Sequence, residues 1–165
     1  MKRSILSVAV AVLVVLADQV VKALVSASAT LHETRPLIPG LLEFCYLHND
    51  GAAMGLFAGA RWPITVLTAC LIIACLVYLL FGKRHSGFSA WALALIIGGG
   101  IGNLIDRIRF GYVVDFVRFP VSWFSYSFNI ADCAICIGAA LFVIAFLLEW
   151  IRAKRPLQEK DHADR

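Results

Sequence analysis

Two aspartates in the sequence have the spacing and surroundings of a catalytic carboxyl pair. Asp115 lies among large apolar residues in YVVDF, and Asp132 lies 17 residues further on in FNIAD. A segment of that length can fold back on itself and bring the two carboxyl groups together. Close carboxyl groups in a medium of low dielectric constant cannot both ionise, so they share one proton. One can then take a proton from water while the other polarises a carbonyl, which is peptide-bond hydrolysis without a metal, a serine or a cofactor.

Four further polar residues lie in pairs within long apolar segments, where inserting a charge into a membrane costs about 2.5–3.5 kcal/mol. Asp18 and Lys22 are four residues apart, so on a helix they share one face and can form an ion pair. Asn103 and Arg107 have the same spacing, and an Asn in an apolar helix needs a hydrogen-bond partner. We expect these residues to support the carboxyl site. A purely structural ion pair is the alternative for Asp18 and Lys22.

Neighbouring polar residues have simpler explanations. Asn129 could be the N-cap of a helix and Asp132 the acid three positions later, a structural role that competes with a catalytic one. Asp106 is adjacent to Arg107 in the chain and is predicted to point elsewhere, as an acid at a helix end. Arg109 is predicted to extend to the membrane interface. No catalytic role is expected for Asp106 or Arg109.

The elements that carry these residues are predicted to be membrane helices. Hydrophobic residues make up 61% of the 165-residue chain, whereas soluble domains contain about half. A helix needs about 20 apolar residues to span a bilayer, and four segments meet that requirement. They lie at about 5–25, 62–81, 88–105 and 130–150. We therefore expect a single all-α integral membrane domain covering residues 1–165.

The basic residues predict the orientation of these spans, because Lys and Arg are concentrated on the cytoplasmic side of membrane proteins. Four spans put both chain ends on one side. Basic clusters occur before the first span, between the second and third, and after the fourth, at Lys2–Arg3, Lys83–Arg84 and Arg152–Arg155. Both termini are therefore predicted to be cytoplasmic, with a cytoplasmic tail at 152–165.

Two segments, at about 27–60 and 109–128, are then predicted to face outward. The first begins with a strand-like pattern and continues into Asn49-Asp50-Gly51, a strong turn signal, which predicts a short hairpin at the membrane surface. The second contains eight aromatic residues. It is predicted to be a re-entrant or interfacial loop that enters the headgroup region.

Two other patterns permit different interpretations. The N-terminus is similar to a signal peptide cleaved near Ala27-Ser28-Ala29, but Asp18 and Lys22 interrupt its apolar stretch. Cys133 and Cys136 form a C-x-x-C, which occurs in redox and zinc sites. No second Cys pair or His cluster completes a metal site, so two small apolar residues one helical turn apart are the simpler explanation. The net charge of +4 comes with no basic face, which argues against nucleic-acid binding.

Five motifs in order resemble the bacterial lipoprotein signal peptidase family, also called signal peptidase II. They are DQVVK (18–22), NDGAAM (49–54), GGGIGNLIDR (98–107), VVDF (113–116) and FNIAD (128–132). Each motif is short, but five in this order on four predicted spans are highly specific. Met54 stands where the family usually has Phe.

The resemblance implies an integral-membrane aspartic endopeptidase. Such an enzyme removes the signal peptide from a prolipoprotein, cutting just before the Cys that carries a diacylglyceryl group. It implies Asp115 and Asp132 as the catalytic pair and an outer sheet that cradles the substrate. Residues that match supporting or substrate- and inhibitor-binding positions are Asp18, Lys22, Asn49, Gly51, Asn103, Arg107 and Asn129.

The resemblance also implies partners and a location. The partners are lipid-modified prolipoprotein signal peptides, membrane lipids and globomycin-type inhibitors, with no cofactor, no metal and no nucleic acid. The expected location is the bacterial plasma (inner) membrane, with the active site near the outer leaflet and the protein a monomer. From the residues alone, a proton-relaying transporter and a purely structural helix bundle remain as alternatives.

Overall fold

The computed structural model describes residues 2–51, 61–82, 87–121 and 124–163, which form four helices and four strands. In chain order these are α1 (Lys2–Ser28), β1 (Thr34–Ile38), β2 (Leu42–Asn49), α2 (Arg61–Phe81), α3 (Gly87–Arg109), β3 (Val113–Val121), β4 (Phe124–Phe128) and α4 (Ile130–Ala163). The predicted basic loop at Lys83–Arg84 and the motif residues 52–54, with Met54, lie outside the described residues.

All four helices are long and apolar enough to cross a membrane. Large apolar side chains cover their outward faces, and Leu13, Leu24 and Leu80 each expose more than 60% of their surface. Such a surface is stable against hydrocarbon and would be unstable in water. The chain is therefore a multi-pass membrane protein, as its hydropathy predicts.

Helix α3 is the central helix of the bundle. Of its most apolar stretch, 61% is buried, whereas the other three helices bury 11–22% of theirs. Glycines permit this close packing, because a Cβ at Gly98 would lie 2.8 Å from the backbone oxygen of Ala11 on α1. A Cβ at Gly99 would overlap the backbone oxygen of Ala131 on α4. The missing side chains at these glycines therefore let α3 pack closely against both α1 and α4.

The four strands form one antiparallel sheet in the order β1-β2-β3-β4. The strand-like pattern of the first outer segment is confirmed as β2, which forms a hairpin with β1. The turn of this hairpin lies at residues 39–41, before β2, and not at the predicted Asn49-Asp50-Gly51, which follows it. The prediction of a loop for the second outer segment is wrong for 113–121 and 124–128, which pair as β3 and β4. The aromatic residues that suggested membrane contact also favour strands, and β2 supplies a partner for β3.

A small apolar core joins the sheet to the end of α1. Val25 on α1 packs with Tyr46 of β2 and with Val114 and Phe116 of β3, and Ile130 at the start of α4 packs against the same cluster. Asp115 lies between two of these buried residues in β3. The sheet therefore holds Asp115 at a fixed position beside the beginning of α4.

Candidate active site

The carboxyl group of Asp115 is completely buried and both of its oxygens accept hydrogen bonds. Asn49 Nδ2, at the end of β2, donates to Asp115 Oδ2 at 2.9 Å. Asn129 Nδ2, immediately before α4, donates to Asp115 Oδ1 at 2.7 Å. Pairing of β2 with β3 places Asn49 close to Asp115, since Leu47 lies opposite Asp115 in the register.

Asp132 lies in the first turn of α4 and forms a capping box with Asn129. The backbone N–H of Asn129 donates to Asp132 Oδ2 at 3.2 Å, and the backbone N–H of Asp132 donates to Asn129 Oδ1 at 3.0 Å. The capping interpretation is therefore confirmed. Capping does not prevent Asp132 from facing the carboxyl site, because its other oxygen, Oδ1, accepts a hydrogen bond from Asn103 Nδ2 at 2.7 Å.

The two carboxyl groups meet at one small polar cavity of about 50 Å³. Both aspartates line it, together with Asn49, Asn103 and Arg107. Asn129 joins them directly, because its side chain donates to Asp115 and its backbone donates to Asp132. A polar cavity of this size has room for a water molecule.

Burial changes the acid–base behaviour of Asp115. Removal from water, with the nearby Asp132 carboxylate as the second cause, raises the pKa of Asp115 to about 7. The hydrogen bonds from Asn49 and Asn129 and the positive charge of Lys22 oppose this rise. Asp115 can therefore hold or release a proton near neutral pH, which general acid–base catalysis requires.

A buried ion triad lies next to the carboxyl pair. Lys22 Nζ is 2.9 Å from Asp18 Oδ2 and 2.9 Å from Asp106 Oδ2, and all three side chains are at most 4% exposed. The predicted Asp18–Lys22 ion pair is thus confirmed. Lys22 Nζ also donates to Asn103 Oδ1 at 2.9 Å, which connects the triad to Asp132 through one amide.

The interpretation of Asp106 as a simple helix-end acid is wrong. Asp106 is 1% exposed and accepts hydrogen bonds from Gln19 Nε2 at 2.9 Å and from the backbone N–H of Val114 at 3.2 Å. Sequence reasoning missed both Asp106 and Gln19. The signal was present, because Asp106 is three residues from Asn103 and therefore shares its helix face.

Asp18 also binds the start of α4. Its Oδ1 accepts the backbone N–H of Ala131 at 3.0 Å. The first N–H groups of a helix have no partner within the helix, and the positive end of its dipole lies there. The negative charge of Asp18 therefore fixes the turn that carries Asp132.

Arg107 holds the turn after β2. Its Nη2 donates to the backbone oxygen of Gly51 at 3.2 Å, and the Gly51 N–H donates to Asn49 Oδ1 at 3.0 Å. Arg107 thus stabilises the turn that presents Asn49 to Asp115. Arg109 behaves as expected of an interfacial residue, being exposed with its guanidinium over the ring of Phe110.

An apolar cavity of about 270 Å³ opens beside Asp132. The residues that line it with Asp132 come from β3, β4 and α4, and are Phe119, Tyr126, Phe128, Cys133, Cys136 and Ile137. The two cysteines of the C-x-x-C are free thiols and exposed. Their position in an apolar cavity favours the interpretation of the two cysteines as small apolar residues over a redox or zinc site.

Residues 10–148 match the profile of a family described as signal peptidase (SPase) II. A lipoprotein signal peptidase of Halothermothrix orenii is 43% identical over 82% of this chain and 90% of its own length. Another, from Syntrophotalea carbinolica, is 38% identical over 87% of this chain and 91% of its own length. A solved structure, described as a bacterial membrane enzyme obtained by the in meso method, has a TM-score of 0.82 at 31% identity, covering 90% of this chain and 92% of that one.

Proposed function

We propose, from the premise that this chain belongs to the signal peptidase II family, that Asp115 and Asp132 are its catalytic pair. The chain is a membrane peptidase of lipoprotein processing. The observation that carries the residue assignment is the shared cavity, in which the four carboxyl oxygens each accept a hydrogen bond from an amide or backbone N–H. These donors hold the two groups in one geometry.

The proposed reaction uses one proton on the carboxyl pair. The ionised carboxyl group takes a proton from a water molecule in the cavity while the oxygen of that water attacks the scissile carbonyl carbon. The protonated carboxyl group donates to the carbonyl oxygen, giving a neutral tetrahedral diol. The carboxyl group that took the proton from water then gives it to the leaving nitrogen, while the other carboxylate takes a proton from a hydroxyl of the diol. The C–N bond breaks, the carboxylic acid and amine products form, and the pair again holds one proton.

The proposed substrate is a diacylglyceryl-modified prolipoprotein, cut just before its lipidated Cys. The apolar cavity beside Asp132 supports this, because an apolar part of the signal peptide can lie there while the peptide bond reaches the polar cavity. The signal helix would enter laterally from the bilayer, with the lipid tails remaining in it. The exposed apolar faces of the helices support such entry.

The same proposal includes the location and partners of the enzyme. The basic clusters support an inner-membrane protein with both termini in the cytoplasm and the sheet and carboxyl pair near the outer leaflet. Membrane lipids surround a monomer, and globomycin-type inhibitors compete for the substrate site. Asp18, Lys22, Asn49, Gly51, Asn103, Arg107 and Asn129 support the site as described above.

The test is incubation of the purified protein with diacylglyceryl-modified precursor, with the shortened product followed by gel shift and mass spectrometry. We expect cleavage by the wild type, its block by globomycin, and a loss of about 10²–10⁴-fold or more in Asp115→Asn and in Asp132→Asn. Glu43→Gln is the matched control, since it makes the same chemical change in the sheet, where Glu43 pairs with Arg118. It is expected to cleave normally.

Retained cleavage in both aspartate variants would end the assignment of the pair. A transporter would instead give proton flux that depends on a pH gradient and no peptide product. A structural bundle would lose only stability in these variants.

A further inference from the structure

The amide side chains around the carboxyl pair must each present their NH₂ group to it. An amide has one oxygen that accepts and one nitrogen that donates, so its orientation decides which of the two faces a carboxylate. For Asn49 the oxygen is fixed by the Gly51 N–H, and for Asn129 by the Asp132 N–H. Both of these anchors are backbone groups supplied by local turns.

Asn103 is anchored differently, by the ammonium group of Lys22. Lysine carries three N–H donors and no acceptor. Lys22 directs them to Asp18 Oδ2, Asp106 Oδ2 and Asn103 Oδ1, each at 2.9 Å. Because Lys22 can only donate, the atom of Asn103 that faces it must be the oxygen, and the Asn103 NH₂ must then face Asp132.

The opposite orientation of Asn103 would disrupt the site. Its oxygen would come to the present position of Nδ2, which is 2.7 Å from Asp132 Oδ1, and two acceptor oxygens would then face each other. Its NH₂ would also face two donors, Lys22 Nζ and the side chain of Asn129, which now approaches Asn103 Oδ1 at 3.2 Å. Asp132 would lose a donor to its carboxylate.

We infer that Lys22 is a positioning residue, which orients Asn103 so that this amide donates to Asp132 and holds its carboxyl group for reaction. This inference rests on the proposed function, in which Asp132 is one of the catalytic pair. Asp18 and Asp106 hold the Lys22 ammonium group in place from α1 and α3. The charge of Lys22 also acts on Asp115 from β3 and Asp132 from α4, and Arg107 of α3 acts on the same carboxylates.

The test must separate orientation of Asn103 from the simple loss of a buried positive charge. We use Lys22→Met together with Asp106→Asn, so that one charge of each sign is removed and the net buried charge is unchanged. The double change is made in the wild type and in an Asn103→Ala background. Lys22→Arg is also made in both backgrounds. It keeps the positive charge and so favours folding, but its planar guanidinium cannot reproduce the three N–H directions of the ammonium group.

Two measurements are made on each protein, after circular dichroism has established its helix content. The first is kcat and KM for lipidated precursor as a function of pH. The second is the titration midpoint of the carboxyl pair from infrared carboxyl absorbance, which needs no substrate. Cleavage by the wild type and its loss in Asp115→Asn test the proposed function separately, so failure of that function leaves the infrared test intact.

When Asn103 is present, we expect the Lys22→Met/Asp106→Asn change to lower kcat roughly 10–100-fold with little effect on KM. The pKa of the acidic limb of the pH profile and the infrared titration midpoint should each rise by about one pH unit. The reason is that the ionised carboxyl pair loses the hydrogen bond donated by Asn103. In the Asn103→Ala background the same change should cost less than about threefold and shift the midpoint little. Lys22→Arg should give a smaller loss that also disappears in that background.

Equal effects in the two backgrounds would overturn the inference, because Lys22 would then act through its charge alone. An unchanged kcat and infrared midpoint in the presence of Asn103 would overturn it as well.

Discussion

Substitution of Gly102 by alanine should disturb the carboxyl pair through a single added methyl group. A Cβ at Gly102 would lie 2.6 Å from Asp18 Oδ2 and 3.3 Å from the Cβ of Ala131. That Asp18 oxygen pairs with Lys22, and the other one holds the Ala131 N–H at the start of α4. The carboxylate would have to move by roughly 0.5–1 Å to reach an ordinary carbon–oxygen separation.

The balance of energies predicts a net loss of stability. Replacing glycine in a helix by alanine is favourable by about 1 kcal/mol where there is room. Weakening one charge-assisted hydrogen bond of the buried Asp18 costs about 1.5–3 kcal/mol, so Gly102→Ala should be destabilising by about 0.5–2 kcal/mol. Activity should fall further, because a displacement of about 1 Å at a reacting group can cost roughly 100-fold.

Gly100→Ala is the matched control on the same helix. Its Cβ would meet Ile72 Cγ1 at 2.9 Å and Cδ1 at 3.1 Å, so the added methyl group disturbs apolar packing against α2 and does not touch Asp18. Both variants are compared with the wild type by thermal unfolding in detergent and by cleavage of lipidated precursor. Equal stability and equal activity of Gly102→Ala and Gly100→Ala would refute the proposed path from Gly102 through Asp18 to α4.

Two further predictions concern the proton on Asp115 and the apolar cavity. The raised pKa of Asp115, about 7 in the folded protein, means that between about pH 4 and pH 7 the folded state retains a proton that the unfolded chain releases. This contribution to stability is fully present at pH 4 and lost as the pH rises through 7. The unfolding temperature should therefore fall less steeply between pH 4 and pH 8 in Asp115→Asn than in the wild type. An unchanged slope would contradict the assignment of a buried proton to Asp115. Alkylation with N-ethylmaleimide should block the apolar cavity and inhibit cleavage, and Cys133→Ala/Cys136→Ala should resist it. Cys70→Ala is the control, because it removes an exposed thiol of α2, and it should be inhibited by N-ethylmaleimide as strongly as the wild type. Inhibition of the double variant would count against use of the cavity by the substrate.

The spans and the candidate pair could be predicted from the sequence because each depends on strong local signals. Twenty apolar residues in a row identify a membrane helix whatever packs around it. Asn129 and Asp132 are a capping pattern at a fixed spacing, and that pattern also places a carboxyl group at the first turn of α4. The Asp18–Lys22 pair likewise follows from helical spacing alone.

The features that sequence reasoning missed depend on contacts between elements far apart in the chain. The spacing of Asp106 from Asn103 places the two on one helix face, but the burial of Asp106 follows from Lys22, which approaches from another helix. The strand β3 is rich in residues that suit both a membrane interface and a sheet, and pairing with β2 decides between them. The apolar cavity needs three elements to form, so a single segment contains no sign of it.

The glycine contacts of α3 also determine the direction in which its last turn points. Gly98 and Gly102 lie against α1, Gly99 against α4 and Gly100 against Ile72 of α2. Turning α3 about its axis by one residue, about 100°, would drive larger side chains such as Ile101 into the neighbouring backbones. The helix is therefore locked in rotation. The glycines one turn earlier in α3 therefore determine where its last polar residues point. Asn103 faces Asp132, Asp106 faces Lys22, and Arg107 faces Gly51.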